Sequence, residues 1–288
     1  MLIRQIKMDN QQSTILSVGS VNISRFFNNG SQETMVDSVV VESPVEIYVK
    51  YGPIDDRKIK KIAMIMRSPG DDLALAVGFL FTAGIIHRRD DILPTQKTTY
   101  FQKIQLVELA YHFNPIFPKD DRIFIVNAAC GVCGAPNAEA LQGNIPYPSW
   151  GKPIKLHREI IFGLVNKTKA LQPLFNKTGG SHAVCWFNNA GELLQVAEDI
   201  GRHNALDKVL GYALLKDENI RMDGFLFFSG RAGFEMLQKA ARAGINLVVA
   251  IGAPSSLAIE IAEENDITLV GFINHNSFNV YTHAHSIQ

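Results

Sequence analysis

The last third of the chain restricts the fold most, because three short apolar runs alternate there with two helical patterns. FLFFSG at 225–230, NLVVAI at 246–251 and TLVGFI at 268–273 are nearly continuously apolar, as strands covered on both faces must be. EMLQKAARAG and SLAIEIAEEN fill the gaps with helix-period patterns. This βαβαβ order calls for a parallel sheet flanked by helices. Upstream, HAVCWF and ELLQVAED flank the turn Asn188-Asn189-Ala190-Gly191 and predict a hairpin. Leu206, Val209, Leu210, Ala213 and Leu214 then mark one buried face of a helix. The C-terminal part therefore reads as a three-layer α/β/α sandwich with a mixed sheet, the hairpin supplying the antiparallel component.

The earlier part has a different character. Residues 1–35 are polar and rich in Asn, Gln and Ser, with NNGSQ at 28–32 as a loop, and predict a peripheral arm. MVDSVVVESPVEIYV, interrupted only by Pro44, predicts a strand, as do KIAMIM and KIQLVELAYHF. Between them LALAVGFLFTAG predicts a buried helix, capped by Asp71 or Asp72 and closed by Gly84. The resulting division is an arm (1–35), a smaller β-rich domain with one helix (36–120), and the α/β/α domain (121–288). The last opens on the strand IFIVN at 123–127 and continues through a helix in LHREIIFGLVNKTKAL.

A chain of 288 residues with 47% hydrophobic content can bury a substantial core. Lys plus Arg and Asp plus Glu number 28 each, so no global field draws it to nucleic acid or an anionic membrane. Any anionic ligand needs a local site. The run Leu73 to Ile86 is shorter than the roughly 20 residues a membrane helix requires, and the N-terminus lacks the pattern of a secretory signal. A cytoplasmic protein is expected. Three cysteines are too few for a disulfide framework, so a CxxC pair points to redox, metal or sulfur chemistry.

That pair lies in NAACGVCGAP at 127–136, where Cys130 and Cys133 are bracketed by Gly131 and Gly134 directly after an apolar strand. Glycines suit a loop that takes an atom from one partner and presents it to another, and the thiolate is the reactive form. Structural zinc is a rival, but no second CxxC or HxxxH exists, so it would have to recruit Cys185 or scattered histidines. A thioredoxin-like helix start conflicts with Gly131, Gly134 and Pro136. A zinc deaminase conflicts with Ala129 standing in place of the proline before the first cysteine, and with the upstream histidines His87 and His112, neither of which sits in HxE. Cys185 and the phenylalanines 225, 227 and 228 read as core.

AEDIGRHNALDKVLG at 197–211 packs Glu198, Asp199, Arg202, His203, Asn204, Asp207 and Lys208 together. It reads either as a proton-transfer or anion-binding cluster, or as helix capping by Asn204 with Asp207 facing water. SGRAGF at 229–234 and GAPSS at 252–256 each follow a strand and open a helix. Their backbone N–H groups, with Ser229 and Arg231, are candidate phosphate contacts, although neither matches GxGxxG or a P-loop. His182, after Gly179-Gly180-Ser181, is positioned to approach the thiols or a backbone carbonyl.

SPVEIYV, RSPGDDLALAVGFLFTAGII, CGVCG, GGSHAV, EDIGRHNALDKVLG, SGRAGFEMLQKAARAGI, APSSLAIEIAE and TLVGFINHNSFNVYTH, in this order, resemble the FdhD family of formate dehydrogenase accessory sulfurtransferases. The resemblance implies a cytidine-deaminase-like fold without deaminase chemistry. It implies that Cys130, assisted by Cys133, takes sulfur from a cysteine desulfurase as a persulfide. The sulfur passes to the molybdenum bis(molybdopterin guanine dinucleotide) cofactor for formate dehydrogenase, a client for which GDP is a possible mimic. The family's cofactor-binding stretch corresponds to Phe272, Ile273, Asn274, His275, Asn276 and Ser277, where the usual basic residue is missing. Ala83 likewise stands where an acidic residue is common. His182, Arg202, His203, Ser229 and Arg231 are further candidate contacts. A homodimer is expected, matching the two-ended cofactor. Open alternatives are a cofactor-binding chaperone without persulfide chemistry and a zinc-stabilised nucleotide-binding protein.

Overall fold

The computed structural model describes residues 17–94, 103–117, 124–126, 154–216 and 224–288. Strands β1 (Val18–Phe26) and β2 (Gln32–Val40) form an antiparallel hairpin around 27–31, where the Phe27 N–H donates to Ser31 O at 2.9 Å. The predicted arm boundary at residue 35 falls inside β2. β3 (Ser43–Tyr51), β4 (Lys58–Arg67), β5 (Ile104–Glu108) and β6 (Phe124–Val126) make a four-stranded sheet in the order β5-β3-β4-β6. Pro44 does not interrupt β3. It lies before the stretch that β5 pairs, Glu46 to Lys50, so its missing N–H leaves no ladder bond to β5 unmade.

One strand changes sheet relative to expectation. The IFIVN segment does not open the C-terminal sheet: β6 runs parallel to β4, with Ile65 opposite Val126. A short apolar run carries no signature of which sheet it joins, and here the edge of β4 left open by β3 accepts it.

The larger sheet contains β7 (His182–Phe187), β8 (Leu193–Asp199), β9 (Phe225–Phe228), β10 (Leu247–Ala250), β11 (Thr268–Gly271) and β12 (Asn279–Val280). Their order is β12-β11-β10-β9-β7-β8. The three central apolar strands β9, β10 and β11 are parallel, and the hairpin β7–β8 and the short β12 are antiparallel. Every residue of β9, β10 and β11 is buried. Alternate residues enter two cores. Val184, Leu226, Phe228, Val248 and Leu269 join helices α4 (Arg202–Lys216), α5 (Phe234–Arg242) and α6 (Ser256–Glu264) on one face. Cys185, Phe187, Phe225, Phe227 and Val249 join α2 (Arg158–Lys169) on the other. A short α3 (Pro173–Thr178) follows α2.

The first core is continuous with the small sheet, since Val45, Ile47 and Ile65 belong to it with Leu75 and Leu80 of α1 (Asp72–Thr82). The contact that permits this is between glycines. A Cβ on Gly78 of α1 would lie 1.8 Å from the Asp207 carbonyl oxygen, and one on Gly211 of α4 would lie 1.8 Å from that of Ala74. The two helices therefore cross backbone against backbone. The α1 N-terminus departs from expectation too. Asp71 takes the left-handed region (φ 58°) and makes no capping bond. Its carboxylate instead accepts from the Tyr212 hydroxyl of α4, while Asp72 takes both Nε and Nη2 of buried Arg67 at 2.7 and 2.8 Å.

Gly211→Ala is a direct check on this crossing. An exposed helix gains up to about 1 kcal/mol from that change, but here the added methyl must force two helices apart. Net destabilisation of about 3 kcal/mol, the upper end for overpacking, is expected in denaturant unfolding.

Candidate functional site

The parallel strands β9, β10 and β11 all end at one edge of the large sheet. β7 starts there and β8 ends there, with His182 paired to Asp199. Ligand sites in open α/β sheets form at such an edge. Here it carries Ser181 and His182, Asp199 to His203, Ser229 to Arg231, Ile251 with Gly252, and Phe272. The strand ladder runs on into these loops. The Gly252 N–H donates to Gly230 O (3.0 Å), Ala232 N–H to Ala253 O (3.2 Å), and Ser255 N–H to Ala232 O (3.1 Å). Ser229 N–H donates to Ala183 O (3.0 Å), and its hydroxyl accepts from the Ala183 N–H (2.8 Å). These four amides are therefore spent within the sheet edge, contrary to the expectation that the glycine turns offer them to an anion. Gly252 is required by crowding: a Cβ there would meet the Arg231 backbone at 2.9 Å.

The EDIGRHNALDK segment is buried rather than solvated. Lys208 Nζ lies 2.8 Å from Asp199, with both side chains at most 2% exposed, and also donates to the carbonyls of Ser68 (3.2 Å) and Glu198 (3.3 Å). Asp199 accepts from the N–H groups of Ser68 (3.1 Å) and Gly201 (2.9 Å) and from Asn204 Nδ2 (2.9 Å). Asn204 also donates to Met66 O at 2.8 Å. Asp207 does not face water: it accepts from Lys239 Nζ (2.5 Å) and the Thr82 hydroxyl (3.0 Å). Both residues hold elements together.

This lattice fixes the start of α4. Arg202 and buried His203 stand there, and His203 Nε2 is 2.8 Å from Glu235 in the first turn of α5. Arg202 Nε, His203 Nδ1 and Glu235 Oε1 are buried without hydrogen-bond partners. Half-buried His182 lies in the same field: burial first, then the charges of Arg202 and His203, push its pKa down against Asp199. Arg231 is exposed.

Beside this edge a cleft of about 520 Å³ opens between the sheet and α2–α3, lined by Lys169, Phe175, Ser181, His182, Ser229 and Ile251 among others. Glu198 shapes its wall. Its carboxylate accepts from the amides of Leu174 and Phe175 (both 2.8 Å) and from the Ser181 hydroxyl (2.9 Å). Burial raises the Glu198 pKa against these bonds.

Of the 272–277 stretch, Phe272 is half exposed in the left-handed region (φ 53°), whereas Ile273 is core. Asn274 builds the turn, its Oδ1 accepting from the amides of Asn276 (2.8 Å) and Ser277 (3.0 Å). His275 is exposed. Cys130 and Cys133 lie outside the described residues. Cys185 lies wholly inside the core, its thiol pushed up to about 12 by burial. Among the described residues no group of three His, Cys, Asp or Glu is placed to hold a metal, and no helix is long and apolar enough to cross a membrane.

The family model described as FdhD/NarQ matches residues 40–288. The chain belongs to the FdhD/NarQ family. Relatives named Sulfur carrier protein FdhD include that of Picrophilus torridus, 40% identical over 256 residues, or 88% of this chain and 93% of the relative. That of Sulfolobus acidocaldarius is 37% identical over 275 residues, covering 94% and 99%. The crystal structure of a candidate formate dehydrogenase accessory protein from Desulfotalea psychrophila superposes with a TM-score of 0.73 at 25% identity. The match covers 94% of this chain and all of the other. Membership in the FdhD/NarQ family and this mixed α/β likeness agree with the resemblance drawn from the motifs.

Sequence reasoning missed the α2–α3 wall and Glu235. Neither carries a motif, since Phe175 and Lys169 read as ordinary helix surface and Glu235 as first-turn charge. One check isolates the electrostatics of the edge. The His182 imidazole should titrate below its ordinary value in an NMR pH series, and Arg202→Gln should move the midpoint upward by removing a cation. A lowered folded pKa means that the unfolded chain binds the proton better. Stability therefore falls as pH drops through the unfolded value, and His182→Gln should flatten that fall.

Proposed function

We propose that this chain carries sulfur as a persulfide on Cys130, taking it from a cysteine desulfurase and passing it to a molybdenum bis(molybdopterin guanine dinucleotide) cofactor destined for formate dehydrogenase. The observation that carries this reading is the route of the chain toward the sheet edge. β6 lies against β4, with Val126 beside Ile65. The next residues of β4 and its end are bonded to that edge: Met66 O accepts from Asn204, and the Ser68 hydroxyl from the Ile200 N–H at 3.0 Å. Cys130 follows Val126 by four residues, a tether of at most about 14 Å. A thiol so tethered suits chemistry beside Arg202, His203 and His182.

Two further points support the assignment. The Cys185 thiol is core-bound and will not ionise near neutral pH, so thiolate chemistry falls to Cys130 and Cys133. The edge also suits an anionic client. Its carboxylates are committed, Asp199 to Lys208 and Glu198 to α3, while Arg202, Arg231 and Lys169 stand along it. In this reading Ser229, Arg231, His182, Arg202 and His203 meet the client's phosphates, and the turn Phe272–Ser277 meets a guanine nucleotide.

The test is sulfur loading. Incubated with an active cysteine desulfurase and cysteine, the Cys130 peptide should gain one sulfur atom that reductant removes, and Cys130→Ala should not. No gain in the wild-type chain would leave a cofactor-binding chaperone as the function.

A further inference from the structure

The β1–β2 hairpin forms a sheet of its own, and most of its residues are exposed. A lone two-stranded ribbon is marginally stable in water. This one is nine residues a side and turns apolar side chains outward: Phe26 is 73% exposed, Val36 64% and Val21 41%.

Its two edges differ. On the β2 side the Ser38 N–H donates to the Asp37 carboxylate at 2.9 Å, and Val40 packs against Gly180, where an added Cβ would lie 2.7 Å from it. On the β1 side no other strand among the described residues pairs with the hairpin. The register runs from Val18–Val40 to Phe26–Gln32 without a bulge, and VGSVNISRF holds neither proline nor lysine, so β1 lacks the devices that blunt an edge strand. The hydrogen bonds tell which of its groups are open. Val41 N–H donates to Ser17 O and Phe27 N–H to Ser31 O, and bonded pairs alternate along an antiparallel ladder. The odd-numbered residues of β1 therefore bond to β2, and the N–H and C=O groups of Val18, Ser20, Asn22, Ser24 and Phe26 point outward.

We propose that this edge binds a second copy of the chain, β1 pairing antiparallel with the partner's β1 about a twofold axis at Asn22. The edge complements itself about that residue, which is the midpoint of the strand, and this selects a copy over an unrelated strand. Asn22 meets the partner subunit's Asn22, Ser20 the partner subunit's Ser24, Val21 the partner subunit's Ile23 and Val18 the partner subunit's Phe26. Polar side chains stand opposite polar ones, and apolar opposite apolar. An axis at Val21 instead sets Val18 opposite Ser24 and leaves Phe26 unmatched. Arg25, the one charge of β1, has Glu33 as its neighbour on β2 and meets only glycine across the axis, so no like charges oppose. Ile23, already beside Met35, gains the partner's Val21 in the same row. The partner's Phe26 arrives beside Val18, whose neighbour Val40 backs Gly180 in the cleft wall. Each hairpin tip thereby braces the α3 side of the other subunit's cleft. The pairing is independent of the sulfur-carrier reading.

Sedimentation of the full-length chain over a concentration series should show a dimer. Asn22→Pro removes the two central hydrogen bonds across the axis and none of the β1–β2 ladder, and should weaken the dimer about 30-fold. Asn22→Lys, which opposes like charges, should weaken it about threefold. Residue-resolved hydrogen exchange of the wild-type chain gives a readout free of folding effects. The amides of Ser20, Asn22 and Ser24 should be protected in the dimer and open in the monomer, while those of Val21 and Ile23 are protected in both. A chain that stays monomeric overturns the proposal. So does a dimer as tight in Asn22→Pro as in wild type. Protection of Ser20, Asn22 and Ser24 in the monomer overturns it too, since the edge is then covered by the chain itself.

Discussion

The ion pair of Lys208 and Asp199 is the interaction on which the site depends. Moving either charge out of water costs several kcal/mol, and attraction offsets that only with close geometry and satisfied remaining bonds. Here both conditions hold. Asp199 collects three further donors and Lys208 two carbonyls. The partners come from the end of β4, the end of β8 and the start of α4, so the pair locks three elements that a hydrophobic contact would leave free to slide. A buried pair of this kind is weak evidence for stability. Its effect is positional, because Arg202 and His203 take their place from the turn that Asp199 closes.

The glycine crossing does for the helices what the pair does for the loops. With α1 and α4 in backbone contact, the small sheet packs on the same core as the large one, and β4 arrives at the functional edge instead of ending on a separate unit. The position of β6 follows. A strand added beside β4 brings the chain toward that edge just before the cysteines.

Much of the fold was legible because periodicity and burial agree. The continuous apolar runs at 225–228, 247–250 and 268–271 became buried parallel strands, and Asn188–Gly191 became the hairpin turn, with Gly191 at φ 75°. What could not be read was partnership. Three apolar residues do not announce which sheet they join. A polar residue at a helix start reads as a cap or a solvated charge, yet Asp71, Asn204 and Asp207 bind groups 125 to 141 residues away in sequence. The same limit applied to the site. The motifs drew attention to His182, Arg202, His203 and Arg231, but not to Glu235, which joins them only through its 2.8 Å contact with His203.

The charge balance of the whole chain, 28 against 28, conceals a local asymmetry. At the sheet edge each carboxylate is bound to a structural partner, since Asp199 holds Lys208, Glu198 holds α3 and Ser181, and Glu235 holds His203. The cations are distributed differently. Lys208 is consumed, but Arg231 is exposed and Arg202 keeps an unbonded Nε. A neutral chain thereby presents a positive edge, and its field reaches His182, whose protonation it opposes. A positive field of this kind lowers the energy of any anion at the edge, whether a bound phosphate or a thiolate.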